Sequence, residues 1–191
     1  MRVICINGSP RMIGNTAAAL RIVMDEFDKA GIETEQLNIY DDDFVLCNAC
    51  LSCRLRGDGR CINENDRLNS YVDTIRKADA VILASPVYYG SISAQMKIFM
   101  ERVGLINRYA GNALSRKVGA AIAVQSSHGG LMALSQMVNF LLSCQIVVCP
   151  SSDSMVLTAE APSDLEKDVN NVKLLKDLVK EMVWLMSCLR N

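Results

Sequence analysis

The run Arg2-Val3-Ile4-Cys5-Ile6-Asn7-Gly8-Ser9-Pro10-Arg11-Met12-Ile13-Gly14-Asn15-Thr16 decides the fold. Residues 2–6 are a short apolar run that stops at Asn-Gly-Ser-Pro, the pattern of a buried strand leaving a sheet. Asn15-Thr16 then predicts a helix cap, and the helix continues to about Ala30 with Leu20, Val23, Met24 and Phe27 on its inner face. Gly31 is a suitable stop. Strand, glycine-bearing loop and amphipathic helix make one β-α unit, and the rest of the chain repeats it.

Glu33–Ile39 alternates weakly and reads as a second strand. A long connection, residues 41–65, follows; long connections in compact domains are usually functional. Arg67–Lys77 predicts a helix with Leu68, Tyr71, Val72 and Ile75 inward. Ala80-Val-Ile-Leu-Ala84 is apolar on both faces, as in a parallel sheet covered on both sides. The spacing predicts a helix over Ser93–Arg108, a buried strand over Val118–Val124, a helix over Leu131–Cys144 and a fifth strand over Ile146–Cys149. Ser163 and Glu166 form a capping-box pattern that opens a last helix to about Leu189. Alternating β-α units joined by right-handed crossovers argue for an α/β fold with a parallel sheet. Five such strands suit a flavodoxin-like three-layer sandwich: strand order 2-1-3-4-5, helices on both faces. We read residues 1–191 as one domain, with a cysteine-rich loop inserted at about 41–65.

Composition agrees with this frame. The chain has 191 residues, half of them hydrophobic and 21% charged, and a net charge of −1. That is globular composition with enough chain for a substantial core. No basic block argues for nucleic acid. No apolar run approaches a membrane span, and Val3–Ile6 breaks at Asn7-Gly8, too soon for a signal peptide. A chain of this size needs no disulfide staples. Cys5, Cys144, Cys149 and Cys188 sit among apolar residues and read as buried thiols, which places the protein in a reducing cytoplasm.

In sheets of this order ligands bind outside the carboxyl ends of the strands, at the switch between strands 1 and 3. Three loops meet there. The first, Gly8–Thr16, presents unpaired helix N-terminal N–H groups and the positive end of the helix dipole to an anion. Ser9 and Thr16 add hydroxyls, Asn15 an amide, and Arg11 charge-assisted bonds suited to phosphate oxygens. The G-x₄-GK-[ST] and G-x-G-x-x-G patterns are both absent, which argues against a P-loop and against a dinucleotide held across a Rossmann turn. The plainer alternative is an ordinary turn and cap. The second loop is Ser85-Pro86-Val87-Tyr88-Tyr89-Gly90-Ser91. Its aromatics suit packing beside a planar ring, or else they cap the core. The third is Gln125-Ser126-Ser127-His128-Gly129-Gly130, whose glycines suit backbone N–H groups aimed at a ring carbonyl. His128 is the only histidine, which excludes His-rich metal sites, and we read it as solvated. No Gly-x-Ser-x-Gly elbow supports a Ser-His-Asp triad.

The inserted loop carries Cys47-Asn-Ala-Cys50-Leu-Ser-Cys53-Arg-Leu-Arg-Gly-Asp-Gly-Arg-Cys61. Three cysteines two residues apart and a fourth beyond a Gly-rich turn fit a [4Fe–4S] cubane, which takes one thiolate per iron. Zinc also accepts four cysteines but usually from two separated knuckles. Free or redox-active thiols are the remaining reading, since disulfides between such near neighbours close small, strained loops.

The Gly-Ser-Pro-Arg…Gly-Asn-Thr start, the Ser-Pro-Val-Tyr-Tyr-Gly turn and the following Gln95-Met96-Lys97…Glu101-Arg102 resemble the NADPH-dependent FMN reductase family. The C-x₂-C-x₂-C-x₇-C run resembles the iron–sulfur flavoproteins within it. The resemblance covers about residues 1–150. It implies a flavodoxin-like fold, one FMN per subunit, a [4Fe–4S] cluster, and a homodimer or homotetramer with both groups near subunit interfaces. It places Ser9, Arg11, Asn15 and Thr16 at the phosphate and ribityl end and Pro86, Val87, Tyr88, Tyr89 and Gly90 beside the isoalloxazine. Ser127, His128, Gly129 and Gly130 close the site, and Cys47, Cys50, Cys53 and Cys61 hold the cluster. Ile62-Asn63-Glu64-Asn65-Asp66 departs from the paired aspartates that many relatives carry after the fourth cysteine.

Three functions remain open at this point. The first is an FMN-dependent oxidoreductase that takes single electrons from a ferredoxin-like carrier through the cluster and reduces a small acceptor such as oxygen, peroxide or a quinone. The second is an NAD(P)H-dependent FMN or quinone reductase without a cluster. The third is a flavodoxin-type carrier or thiol sensor.

Overall fold

The computed structural model describes residues 1–189. The elements in chain order are β1 (Arg2–Asn7), α1 (Asn15–Lys29), β2 (Glu33–Asn38), a 3₁₀ turn (Ile39–Asp41), α2 (Ser52–Arg56), α3 (Leu68–Lys77), β3 (Ala80–Pro86), α4 (Ala94–Tyr109), β4 (Val118–Gln125), α5 (Gly130–Ser143), β5 (Val147–Val148), β6 (Val156–Thr158), α6 (Asp164–Lys167) and α7 (Val169–Leu189). The sheet is parallel with order β2-β1-β3-β4-β5, the flavodoxin-like order expected. A sixth short strand was not anticipated: β6 also pairs with β4, from Ala123↔Val156 to Gln125↔Thr158.

The period-2 geometry of the strands splits the core in two. Ile4, Ile6, Val81, Leu83, Ala121 and Ala123 face α3, α4 and α5. Val3, Cys5, Ala80, Ile82, Ile122 and Val124 face α1 and α7. Every residue of β3 is buried, as a central strand covered on both sides requires. Helix α4 places Met96, Phe99, Val103 and Ile106 inward at helical spacing, all at most 2% exposed. Burial of each such side chain is worth about 1.5–3 kcal/mol. Ser93 caps α4, its hydroxyl accepting from the Met96 N–H at 3.3 Å.

Four local expectations are corrected. The cap of α1 is Gly14, in extended backbone with no side-chain cap, rather than Asn15-Thr16. Asn15 instead donates its Nδ2 to the Ala161 carbonyl at 2.9 Å, tying the helix start to a segment far along the chain. The last helix is broken into α6 and α7. Ser163 lies in the left-handed region at φ 71° and caps nothing through its side chain. Glu166 pairs with Arg21 at 2.5 Å. The residue that opens α7 is Asp168, whose Oδ1 accepts from the N–H groups of Asn170 at 2.8 Å and Asn171 at 3.1 Å. The 41–65 connection is not all loop, since it holds α2. Finally, Cys5, Cys144 and Cys149 are buried, but Cys188 is exposed. It lies two residues beyond the buried Met186, on the outer side of α7. Among the described residues no helix is long and apolar enough to cross a membrane.

Candidate functional site: a cleft at the strand ends and a cysteine cavity

The first two loops and the start of the third form one cleft of about 340 Å³ at the carboxyl ends of β1, β3 and β4. Ser9, Arg11, Asn15, Thr16, Pro86, Val87 and Tyr88 line it. The β1 loop is held rigidly. Asn7 is fully buried and its Oδ1 accepts from the Ser9 N–H at 3.1 Å, while the Ser9 hydroxyl accepts from the Arg11 N–H at 3.1 Å. The Gly8 N–H donates to the Ala84 carbonyl at 2.8 Å, and a Cβ there would stand 3.0 Å from the Met96 methyl. A side chain there would crowd the Met96 methyl, the Ala84 carbonyl and the Ser93 hydroxyl, so glycine suits the point where β1 leaves the sheet beside α4. The loop then delivers the start of α1 to the cleft with no side-chain cap and no acidic residue in its first turn. The positive end of that helix is uncompensated, which is what a phosphate requires.

The β3 loop is a two-residue hairpin. Tyr88 and Ser91 exchange backbone hydrogen bonds at 2.9 and 3.1 Å, and the central residues Tyr89 and Gly90 have φ of 48° and 76°. Positive φ at both central positions marks a type I′ turn, which strains a tyrosine. Tyr89 is fully exposed and Tyr88 is 39% exposed, so neither caps the core. Burial beside the cleft raises the Tyr88 hydroxyl pKa. The β4 loop departs from expectation in part. Gln125 and Ser126 line the cleft, whereas Ser127, His128 and Gly129 do not. Ser127 Oγ and His128 Nδ1 pair with each other at 2.9 Å in an exposed position. Gly129 packs against the hairpin, where a Cβ would fall 2.5 Å from the Gly90 Cα. Its role is close approach of two turns.

Cys47, Cys50, Cys53 and Cys61 line a second cavity, of about 250 Å³, together with Leu46, Leu51, Leu105, Ile106 and Arg102. Its walls come from the inserted segment and from α4. Ala49 and Leu51, on either side of Cys50, both lie in the left-handed region, at φ 53° and 58°. Such conformations cost about 1–3 kcal/mol each and occur at ligand clamps. Here they turn the cysteine run so that its thiols share one cavity. Cys61 is held by Asn69 of α3, which accepts from its N–H at 2.8 Å and donates to its carbonyl at 3.0 Å. Hydrogen bonds from Ser52 lower the Cys50 thiol pKa, while burial raises that of Cys53. Among the described residues no three candidate ligands converge at metal-holding distance.

With both sites in view, the comparisons with known proteins decide the family. Residues 1–161 match the family described as NADPH-dependent FMN reductase. The chain belongs to that family. It is 31% identical, over the whole length of both chains, to an iron–sulfur flavoprotein of Methanocaldococcus jannaschii. It is 33% identical to an iron–sulfur flavoprotein of Methanosarcina thermophila over 68% of this chain and 66% of that one. It is also 23% identical to an NADPH azoreductase of a Bacillus species, over 98% of this chain and 93% of the relative. In fold, it is similar to the NAD(P)H:acceptor oxidoreductase FerB of Paracoccus denitrificans, with a TM-score of 0.74 and 20% identity over 98% of this chain and 97% of that one. It is similar also to an archaeal flavodoxin, with a TM-score of 0.64 and 15% identity over 98% and 99%.

The chain is an FMN-dependent oxidoreductase of that family, and its two cavities have walls to which no motif in the sequence assigned a role. Ala159 and Glu160, just after β6, form a further wall of the strand-end cleft. No signal marked them, because β6 is three residues long and no motif precedes it. Arg102 had a usable signal. It is three residues after Phe99 and four before Ile106, on the apolar face of α4, where a charge needs a reason.

Proposed function

We propose that this chain is an iron–sulfur flavoprotein: an oxidoreductase that takes single electrons from a ferredoxin-like carrier and delivers them to a small acceptor such as oxygen, peroxide or a quinone, with FMN and a [4Fe–4S] cluster as its redox groups. The observation that carries the reading is that all four cysteines of one segment line one cavity, apart from the strand-end cleft. When bound, a [4Fe–4S] cluster handles single electrons and FMN one or two, which joins a one-electron donor to two-electron chemistry.

The residues present fit both groups. At the cleft the uncapped start of α1, the Ser9 and Thr16 hydroxyls and the Arg11 guanidinium would hold the FMN phosphate. The hydrophobic Val87 and the Tyr88 ring would lie along the isoalloxazine, and the Tyr89–Gly90 tip would overhang it. Ser127, His128 and Gly129 would border the site from the hairpin side. At the cavity, Cys47, Cys50, Cys53 and Cys61 would hold the cluster, against the apolar wall of Leu105 and the buried Ile106 on α4. The fit there has an independent sign: Arg102 lines the cavity, its side chain is 2% exposed, and its Nη2 has no hydrogen-bond partner. A buried cation with an orphan donor suits an anionic, thiolate-ligated group.

The proposal includes self-association to at least a dimer. Ile13, Tyr89, Leu131 and Met132 are apolar or aromatic side chains exposed on the chain, suited to burial against a second copy. A second reading, an NAD(P)H-dependent reductase without a cluster, is supported by the likeness to an NADPH azoreductase over 98% of this chain. Counting iron, acid-labile sulfide and flavin per chain in an anaerobic preparation separates the two. Four irons, four sulfides and one FMN support the first; one FMN with no iron, and rapid bleaching by NAD(P)H, support the second.

A further inference from the structure

Among the described residues Arg102 is the cation of the one ion pair with both side chains buried, and it is also a wall of the cysteine cavity. Its Nη1 donates to the Asp66 carboxylate and to the Val45 carbonyl at 3.1 Å. The side chains of Arg102 and Asp66 are 2% and 1% exposed. Asp66 in turn accepts from the N–H groups of Val45 at 3.0 Å and Leu68 at 3.2 Å, which staples both limbs of the inserted segment to α4. One nitrogen of the guanidinium therefore does all the structural work. The other, Nη2, is buried without a partner.

We propose that Arg102 is a positioning and tuning residue for the metal centre: its Nη2 donates to the sulfur shell on the Cys61 side, and its charge favours the reduced, more negative level of the cluster. This rests on the iron–sulfur reading above. Reduction potentials of such clusters are set by hydrogen bonds to sulfur, net charge and solvent exposure, and this group supplies the first two from a dry wall. A lysine could keep the Asp66 pair but has no second limb to face the cavity.

The test is the midpoint potential of the anaerobically reconstituted cluster, followed by electron paramagnetic resonance during dithionite titration. Wild type, Arg102→Lys and the double variant Arg102→Gln/Asp66→Asn are compared, with FMN content reporting the fold. Arg102→Lys should keep its iron and lower the one-electron reduction equilibrium at least tenfold, about 59 mV. The double variant, which leaves no unpaired charge, should lower it as much or more. Unchanged potentials with the cluster retained would overturn the proposal while sparing the iron–sulfur reading. So would loss of iron from both variants with FMN retained, because the pair would then be structural only. A wild type that takes up no iron would overturn both.

Discussion

Asn69 and Cys61 hold each other by two hydrogen bonds: the Asn69 side chain accepts from the Cys61 N–H at 2.8 Å and donates to its carbonyl at 3.0 Å. Asn69 is buried on α3, and Cys61 is the cysteine farthest in sequence from the other three lining the cavity. A side-chain amide that mimics a strand partner fixes a loop residue without a strand. Asn69→Ala should cost about 2 kcal/mol, the cost of losing a buried pair of hydrogen bonds. Urea unfolding reads that loss. Iron content should fall, and FMN content should not, because the cleft is built from other strand ends. Equal loss of FMN and iron would show that Asn69 supports the whole fold rather than one thiol.

Arg11 sits at the opposite site. It lines the cleft beside the uncapped start of α1. Arg11→Ala should weaken FMN binding by about 1.5–3 kcal/mol, the range for a charge-assisted hydrogen bond. Fluorescence titration should show a much smaller change for riboflavin, which has no phosphate. Equal losses for both flavins would remove the phosphate role.

The buried thiols predict how stability depends on pH. Burial pushes Cys5 up to about 12 and Cys144 and Cys149 up to about 11. In the unfolded chain each ionises near about 8.5. Their folded pKa values are raised, so above about pH 8.5 the unfolded state binds fewer protons and stability falls with rising pH, until the folded thiols ionise at 11 to 12. Each thiol contributes about 1.4 kcal/mol per pH unit in that window. Denaturant midpoints measured from pH 8 to 10.5 should fall accordingly. Cys5→Ala should lose less stability over that range than wild type, even if it is less stable at pH 8. An identical slope would show that Cys5 does not contribute.

How much of this was legible follows from what each element depends on. β1, β3 and β4 are buried on both faces, so their apolar runs announce themselves, and the cleft at their ends follows from topology. β6 was invisible because three residues carry no period. The cap at Ser163 failed because Asp168, five residues later, captures two helix N–H groups with one carboxylate. The cysteines were legible as a spacing, but their common cavity was not, since it depends on left-handed backbone at Ala49 and Leu51, residues with no propensity for it. Tyr89 was legible as an aromatic at the end of β3. Its exposure was not, since only the turn type throws it outward.

Cys50 allows the proposed route of electron entry to be separated from the flavin chemistry. It is exposed, lies between the two left-handed residues, and its thiol pKa is lowered by hydrogen bonds from Ser52. Cys50→Ser replaces thiolate by a harder oxygen ligand that suits iron poorly. The strand-end cleft shares no residue with the cysteine cavity, so FMN should stay near one per chain while iron falls. Reduction by a ferredoxin-like carrier should then slow greatly, and reduction of the flavin by dithionite should survive. An enzyme that takes hydride from NAD(P)H predicts the reverse, with wild type and variant reduced alike and the carrier irrelevant. Stopped-flow bleaching of the flavin with each reductant in turn distinguishes them. Full carrier-driven turnover in Cys50→Ser would end the reading of the cysteine site as the port of entry, even with iron bound in the wild type.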